Sequence, residues 1–263
     1  MAALLVASSL AGAVAQPVPS LEAGIRGGAT FTHGFTNVPA QQVSAAVSTP
    51  ELNNQSNGIG LGYSAGVWVR RNFSRFYVQA EVGYNTFLLR QRTNVPQIDV
   101  NANAALSRAL PVSVAPGLVF ATLNATSESV LESINVPVLL GKRWLGGRLR
   151  GYAGPNLLFV QKSEATRTTS GQINANAAIG FPEVDIPERT ETTNLLSKRA
   201  AGILEVRDIT YALELGVGAT LLPGLEADLR YAVPVGGVYK DNNITGFLGI
   251  ATASLSYRLF SVK

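Results

Sequence analysis

Eight stretches of the chain alternate apolar with polar residues over about ten positions each, and the connections between them run long, short, long, short. No other feature constrains the fold as tightly. The plainest case is Leu225-Glu226-Ala227-Asp228-Leu229-Arg230-Tyr231. Side chains on a strand alternate faces with period two. Leu225, Ala227, Leu229 and Tyr231 therefore make an oily face, and Glu226, Asp228 and Arg230 a charged one. Eight such segments predict an all-β chain, a transmembrane up-and-down antiparallel β-barrel of eight strands with long outer loops.

The expected strands are Leu21–Phe31, Ile59–Arg70, Phe76–Leu88, Leu131–Trp144, Arg148–Gln161, a sixth through Tyr211–Ala219, Leu225–Val233 and Phe247–Phe260. Tight turns follow the second, fourth and sixth, at Arg71-Asn72-Phe73-Ser74, Leu145-Gly146-Gly147 and Leu222-Pro223-Gly224. Outer-membrane barrels have short periplasmic turns and long outer loops. Both termini are thus expected on the periplasmic side, with Asn54, Asn103 and Asn176 outside and Gly146 inside. Strands three to six are expected to run on past the membrane, since pieces such as Leu118-Val119-Phe120 read as ordered. The two longest connections share an echo, Val100-Asn101-Ala102-Asn103-Ala104-Ala105-Leu106 and Ile173-Asn174-Ala175-Asn176-Ala177-Ala178-Ile179. It marks either matched elements that pack together or a coincidence of Ala/Asn-rich sequence.

Composition narrows the class. Charged residues make up 14 % of 263, against roughly 25 % in soluble domains. Hydrophobic residues make up 46 % and mean hydropathy is +0.19, yet no apolar run is long enough for a transmembrane helix. The absence of cysteine excludes disulfides and thiolate metal sites, and the single histidine, His33, excludes a histidine-rich metal site. The net charge of +4 comes without a Lys/Arg cluster or a base-stacking motif, so no nucleic-acid partner and no cofactor are expected. Residues 1–15 read as a secretory signal: Met1 to Leu10 is apolar, and Ala13-Val14-Ala15 before Gln16 fits a cleavage site. The usual basic residues before it are absent, as they would be if the true start lay upstream. The barrel is then residues 16–263.

Alternation alone does not say which face meets lipid. A soluble lipocalin-like ligand-binding barrel would put charges outside and an oily cavity inside. Two features favour the membrane. The polar faces are rich in glycine (Gly24, Gly28, Gly60, Gly62, Gly66, Gly216, Gly218), which makes room beside long side chains in a narrow lumen. Aromatics gather near strand ends, with Phe73, Phe76, Trp144, Tyr257 and Phe260 at one end and Phe31, Phe159, Tyr211 and Phe247 at the other, as interfacial girdles do.

With polar faces inward, the lumen should hold Glu22, Arg26, Arg70, Glu81, Arg150, Glu214, Glu226, Asp228, Arg230 and Arg258. These five carboxylates and five arginines could line a narrow passive porin-like channel or close it as a salt-bridged plug. An interior of about eight strands is just wide enough for side chains to fill, which favours the plug. Polar substitutions at lumen positions are expected to be tolerated. No catalytic site is expected: the sole candidate base for acyl-transfer chemistry is His33, read as an exposed loop histidine. The expected role is structural, or an interaction carried by the outer loops, with outer-membrane lipid as the surrounding partner and a protein partner met through those loops.

Three short segments carry a family resemblance: Ile134-Asn135-Val136-Pro137-Val138-Leu139-Leu140-Gly141-Lys142, Tyr152-Ala153-Gly154-Pro155-Asn156-Leu157 and Ala227-Asp228-Leu229-Arg230-Tyr231. They resemble the strand sequences of the PorT-like, or "porin family", outer-membrane β-barrel proteins. The resemblance implies an eight-stranded barrel in a Gram-negative outer membrane. It implies no particular activity, because most members have none assigned.

Overall fold

A computed structural model describes residues 20–40, 42–44, 47–48, 51–102, 117–197 and 204–262. The expected signal segment lies outside them. Eight long strands dominate: β1 (Leu21–Val38), β2 (Gly60–Asn72), β3 (Tyr77–Asp99), β4 (Phe120–Trp144), β5 (Leu149–Ile173), β6 (Ile209–Leu222), β7 (Leu225–Val235) and β8 (Thr245–Val262). Each pairs antiparallel with the next. β8 returns to β1, from Leu21↔Val262 to Asn37↔Thr245, and this closes the ring. Closure removes the two free sheet edges that an open sheet would present to lipid, which is why barrels can cross a membrane.

One end carries the tight turns. Phe73 N–H donates to the Phe76 carbonyl (2.8 Å) between β2 and β3. Gly146 and Gly147 turn β4 into β5 at φ of 66° and 90°, a region that glycine enters without steric cost. Leu21 and Val262 lie at the same end. The long connections gather at the other.

The alternation sorts faces as expected. On β1, Glu22, Thr30, Thr32 and Thr36 are buried, while Ile25, Phe31 and Phe35 are exposed. The outward band continues through Val67, Val82, Val138, Leu140, Leu213, Leu215, Val217, Leu229 and Leu255, all exposed. Aromatic rims flank it: Phe73, Phe76, Trp144, Tyr257 and Phe260 at the turn end, and Phe31, Phe35, Tyr63 and Tyr211 at the loop end. This is the inverse of a soluble ligand-binding barrel, and that alternative falls.

The strands are longer than the alternation indicates. As expected, β3, β4 and β5 run on past the membrane, for 23, 25 and 25 residues. At about 3.4 Å per residue β4 spans roughly 80 Å, whereas about 9–11 residues cross the bilayer core. A further strand, Val184–Asn194, pairs with the outer part of β5. Together these form a sheet that projects from the loop end. The sixth strand does not extend: β6 begins at Ile209.

The projecting sheet is hidden from a search for oily alternation because water, not lipid, meets its outer face. That face bears hydroxyl and amide groups, with Thr166–Thr192 and Thr168–Thr190 paired at 3.0 Å. Its other face has a small apolar core of Val100, Val119, Ala121, Ile173 and Phe181, packed by Leu123, Val184 and Ile186. Val100 and Ile173 open the two echoed segments, so their first residues do pack together; residues 103–106 of the first echo lie outside the described residues.

A short strand, Leu52–Ser56, bridges β1 (Thr36↔Asn54) and β3 (Gln55↔Arg92). Asn54 is buried there, which makes it a poor insertion point, and Asn103 lies outside the described residues. Gly58 and Gly180 sit in open turns at the loop end. Epitope tags at Gly58 and Gly180 should bind antibody on intact cells, and one at Gly146 only after permeabilisation. Labelling of Gly146 alone on intact cells would reverse the orientation.

Candidate functional site: the barrel interior

All ten residues assigned to the lumen face inward and meet one another. Nine have side chains no more than 13 % exposed; Arg258, at the turn end, is 30 % exposed. At the turn end, Glu22 accepts from Arg70 (3.3 Å), Arg143 (2.7 Å), Arg258 (2.5 Å) and Asn72 (3.0 Å). Above it, Arg70 grips Glu226 with two parallel bonds of 3.0 and 2.9 Å. Arg150 donates to Glu226 and, at 2.6 Å, to Asp228. Asp228 also accepts from Tyr152 (2.7 Å) and Ser256 (3.2 Å).

Higher still, Arg230 holds Glu81 with bonds of 2.7 and 2.9 Å and reaches Glu214 at 3.0 Å. Arg26 joins Glu81 at 2.5 Å, and Asn156 donates to Glu214 at 2.7 Å. Gln79 ties the two halves together: it accepts from Arg70 Nε at 2.6 Å and donates to Glu81. One continuous network thus joins residues from all eight strands. The forked arginine–carboxylate geometry fixes direction as well as distance.

Several members were absent from the sequence list. Arg143 is the main one, and alternation could have found it: Asn135, Pro137, Leu139 and Gly141 point inward on β4, and 143 continues the series. It makes six arginines against five carboxylates. The excess charge sits at the mouth, where Arg143 and Arg258 are partly exposed. Trp68, Tyr77 and Tyr152 supply aromatic faces: Arg70 lies 4.7 Å from the Trp68 ring and 5.1 Å from Tyr77, and Arg230 5.0 Å from Tyr152. The lumen glycines make this possible. A Cβ on Gly216 would stand 2.5 Å from the Tyr152 ring, and one on Gly218 2.5 Å from Arg150 Nε and Asp228 Oδ1.

The expectation that lumen positions tolerate polar change does not hold at Asp228, which is buried with three donors on it. His33 is corrected too. It lies in β1, not a loop, on the outward face, with Nε2 3.1 Å from the Tyr231 hydroxyl and its ring 5.6 Å from Phe247.

Above the network lies a cavity of about 30 Å³, bordered by Ser64, Asn85, Asn135, Asn156 and Arg230. It has room for roughly two water molecules. The lining then changes character. Phe87, Leu158, Ala212, Ala232 and Ile250 form an apolar layer across the barrel. A second cavity, of about 50 Å³, follows. Its roof is two loop segments that pair with each other: Val206 bridges Tyr239, and Arg207 N–H donates to the Val238 carbonyl (2.9 Å). Lys240 locks them through Glu205, and that hydrogen bond holds its ammonium above the ordinary lysine range.

Comparison with known proteins places this interior in a family. The outer membrane protein beta-barrel domain family matches residues 14–239. No curated protein matches the sequence. Similar solved structures include the attachment invasion locus protein Ail of Yersinia pestis, in complex with the heparin analogue sucrose octasulfate. It is 9 % identical, with 91 % of this chain and 99 % of that one covered and a TM-score of 0.29. Neisserial surface protein A is 13 % identical, with coverage of 89 % and 97 % and a TM-score of 0.30. A FadL homologue of Pseudomonas aeruginosa is 8 % identical, with 90 % of each chain covered and a TM-score of 0.25. Likenesses this remote carry nothing about function. The family match does carry a conclusion, because it spans most of the chain: the protein belongs to the outer membrane protein beta-barrel domain family, and its place is the outer membrane of the cell.

Proposed function

We propose that the protein is a closed, non-conducting outer-membrane scaffold that presents its projecting sheet to partners outside the cell. The observation that carries this reading is the extension of β3, β4 and β5, joined by Val184–Asn194 and backed by its own apolar core. A strand that only crossed the bilayer would need less than half that length. The closed lumen is supported by the ion-pair network, in which forked pairs meet across the axis and leave fixed rather than mobile charges. A non-enzymatic role is supported by the surroundings of His33, which among the described residues meets Tyr231 and Phe247. The narrower kinship with PorT-like proteins rests on the three strand segments above and belongs to the same proposal.

Two measurements on the intact protein test it together. In planar bilayers the purified protein should show no steady conductance. On intact cells, photo-crosslinkers at Thr168 and Thr190 should give discrete protein adducts, while one at Leu229 should give none. A reproducible open channel with no adducts on the sheet would make the narrow passive pore the better reading.

A further inference from the structure

We infer that the outer half of the barrel is a binding site for one small apolar group, a single ring or the end of an alkyl chain, admitted laterally from the bilayer between β7 and β8. This goes beyond the scaffold reading and uses no residue of the ion-pair network.

The first observation is the second cavity, of about 50 Å³. One water needs about 10–15 Å³ on this measure, so the space matches roughly three to five waters, or a group of about four to six carbons. Its walls are apolar, with Phe87, Leu131, Val160 and Leu248 among them. Water is poorly held in such a space, since each molecule needs two to four polar partners. Thr210 stands at the wall with a buried Oγ1 that has no hydrogen-bond partner among the described residues. A bound molecule with one hydroxyl or carbonyl group would satisfy it.

The second observation is independent of the cavity. The β7–β8 ladder stops at Ala232↔Ile250. Both strands continue beyond that point. β7 remains paired with β6 as far as Tyr211↔Val235, and β8 with β1 as far as Asn37↔Thr245. A seam is therefore left between Val233–Val235 and Phe247–Gly249. The β2–β3 ladder also stops short, at Ser64↔Asn85, but no β2 residue lines the cavity. Pro234 lies within the β7–β8 seam and has no N–H to offer across the gap. Pro234 and Leu248, on opposite sides of the seam, both line the cavity. On the outer surface the seam meets the aromatic rim at Phe35 and Phe247, where acyl chains lie against the protein.

The test uses the full-length protein refolded in lipid vesicles, with fluorobenzene as the free probe and fluorine NMR as the readout. Saturable binding is expected. Val160→Phe, which fills the cavity, should weaken it by at least about tenfold, and Ser129→Leu should do the same if the first variant does not fold. Absence of saturable binding, or binding untouched by a folded filling variant, would overturn the site. The route is tested with a phosphatidylcholine that carries a photoreactive group at the end of one acyl chain. Adducts are expected on inward residues such as Leu131 and Leu248. The chain has no cysteine, so Val235→Cys with Phe247→Cys adds a unique pair on the outward lips of the seam. Bridging that pair with a short bis-maleimide should abolish the inward adducts. Adducts confined to outward residues such as Leu229, or inward adducts that persist after bridging, would overturn lateral entry.

Discussion

Glu81→Ala should destabilise the folded barrel by about 3–5 kcal/mol, the usual cost of removing one partner from a buried ion pair. Glu81 has a 2 % exposed side chain and holds both bonds of the Arg230 fork together with Arg26. Its loss leaves Arg230 with Glu214 alone and Arg26 with a long bond of 3.3 Å to Ser254. Neither guanidinium can shed its charge near neutral pH, so both remain buried and under-paired. The exposed pair Arg90–Glu128 is the natural control. Its side chains are 45 % and 56 % exposed, and Arg90→Ala should cost about 1 kcal/mol or less. Urea unfolding of protein refolded in vesicles measures both. Equal midpoints for the two variants would mean that the interior network contributes no more than a surface pair, and the plug would lose its energetic basis.

Leu229→Arg should cost about 2–4 kcal/mol, the penalty for a cation on the lipid face near the bilayer midplane. Leu229 is 57 % exposed on the outward face, paired with Val217 on one side and Ala253 on the other. Thr190→Arg, on the exposed outer strand of the projecting sheet, meets water instead and should stay within about 0.5 kcal/mol of the parent. The same unfolding assay separates them. A Leu229→Arg barrel as stable as Thr190→Arg would mean that the apolar band does not face lipid. Asp228→Asn is no longer a benign comparison, because three donors converge on that carboxylate and one of them is Arg150.

Eight strands and their two faces were legible from Leu225 to Tyr231 and its counterparts because lipid and lumen demand opposite side chains at alternate positions. The ten charged residues proposed for the lumen were read by the same rule, which could also have given Arg143. It said less in two regions, each for a definite reason. On β4 and β5 beyond the membrane, Thr126 and Thr168 face water, so the outward face turns polar and the contrast disappears. In the outer lumen the strands were expected, but the inward residues Leu158, Leu248 and Ile250 are themselves apolar, so both faces are oily and alternation does not announce the apolar layer.

The order of residues along the chain was enough to determine that this protein is a membrane barrel with a charged interior, since alternation is a local property of each strand. Which charge meets which was not local. Glu22 and Arg258 are 236 residues apart, and Glu81 and Arg230 149 apart; only ring closure brings each pair within hydrogen-bond reach. The apolar cavity, the unpaired seam beside it and the sheet that projects outside depend in the same way on how the closed strands are staggered. The tertiary structure alone decided them, because stagger is set by contacts between strands and leaves no mark on the period of any single one.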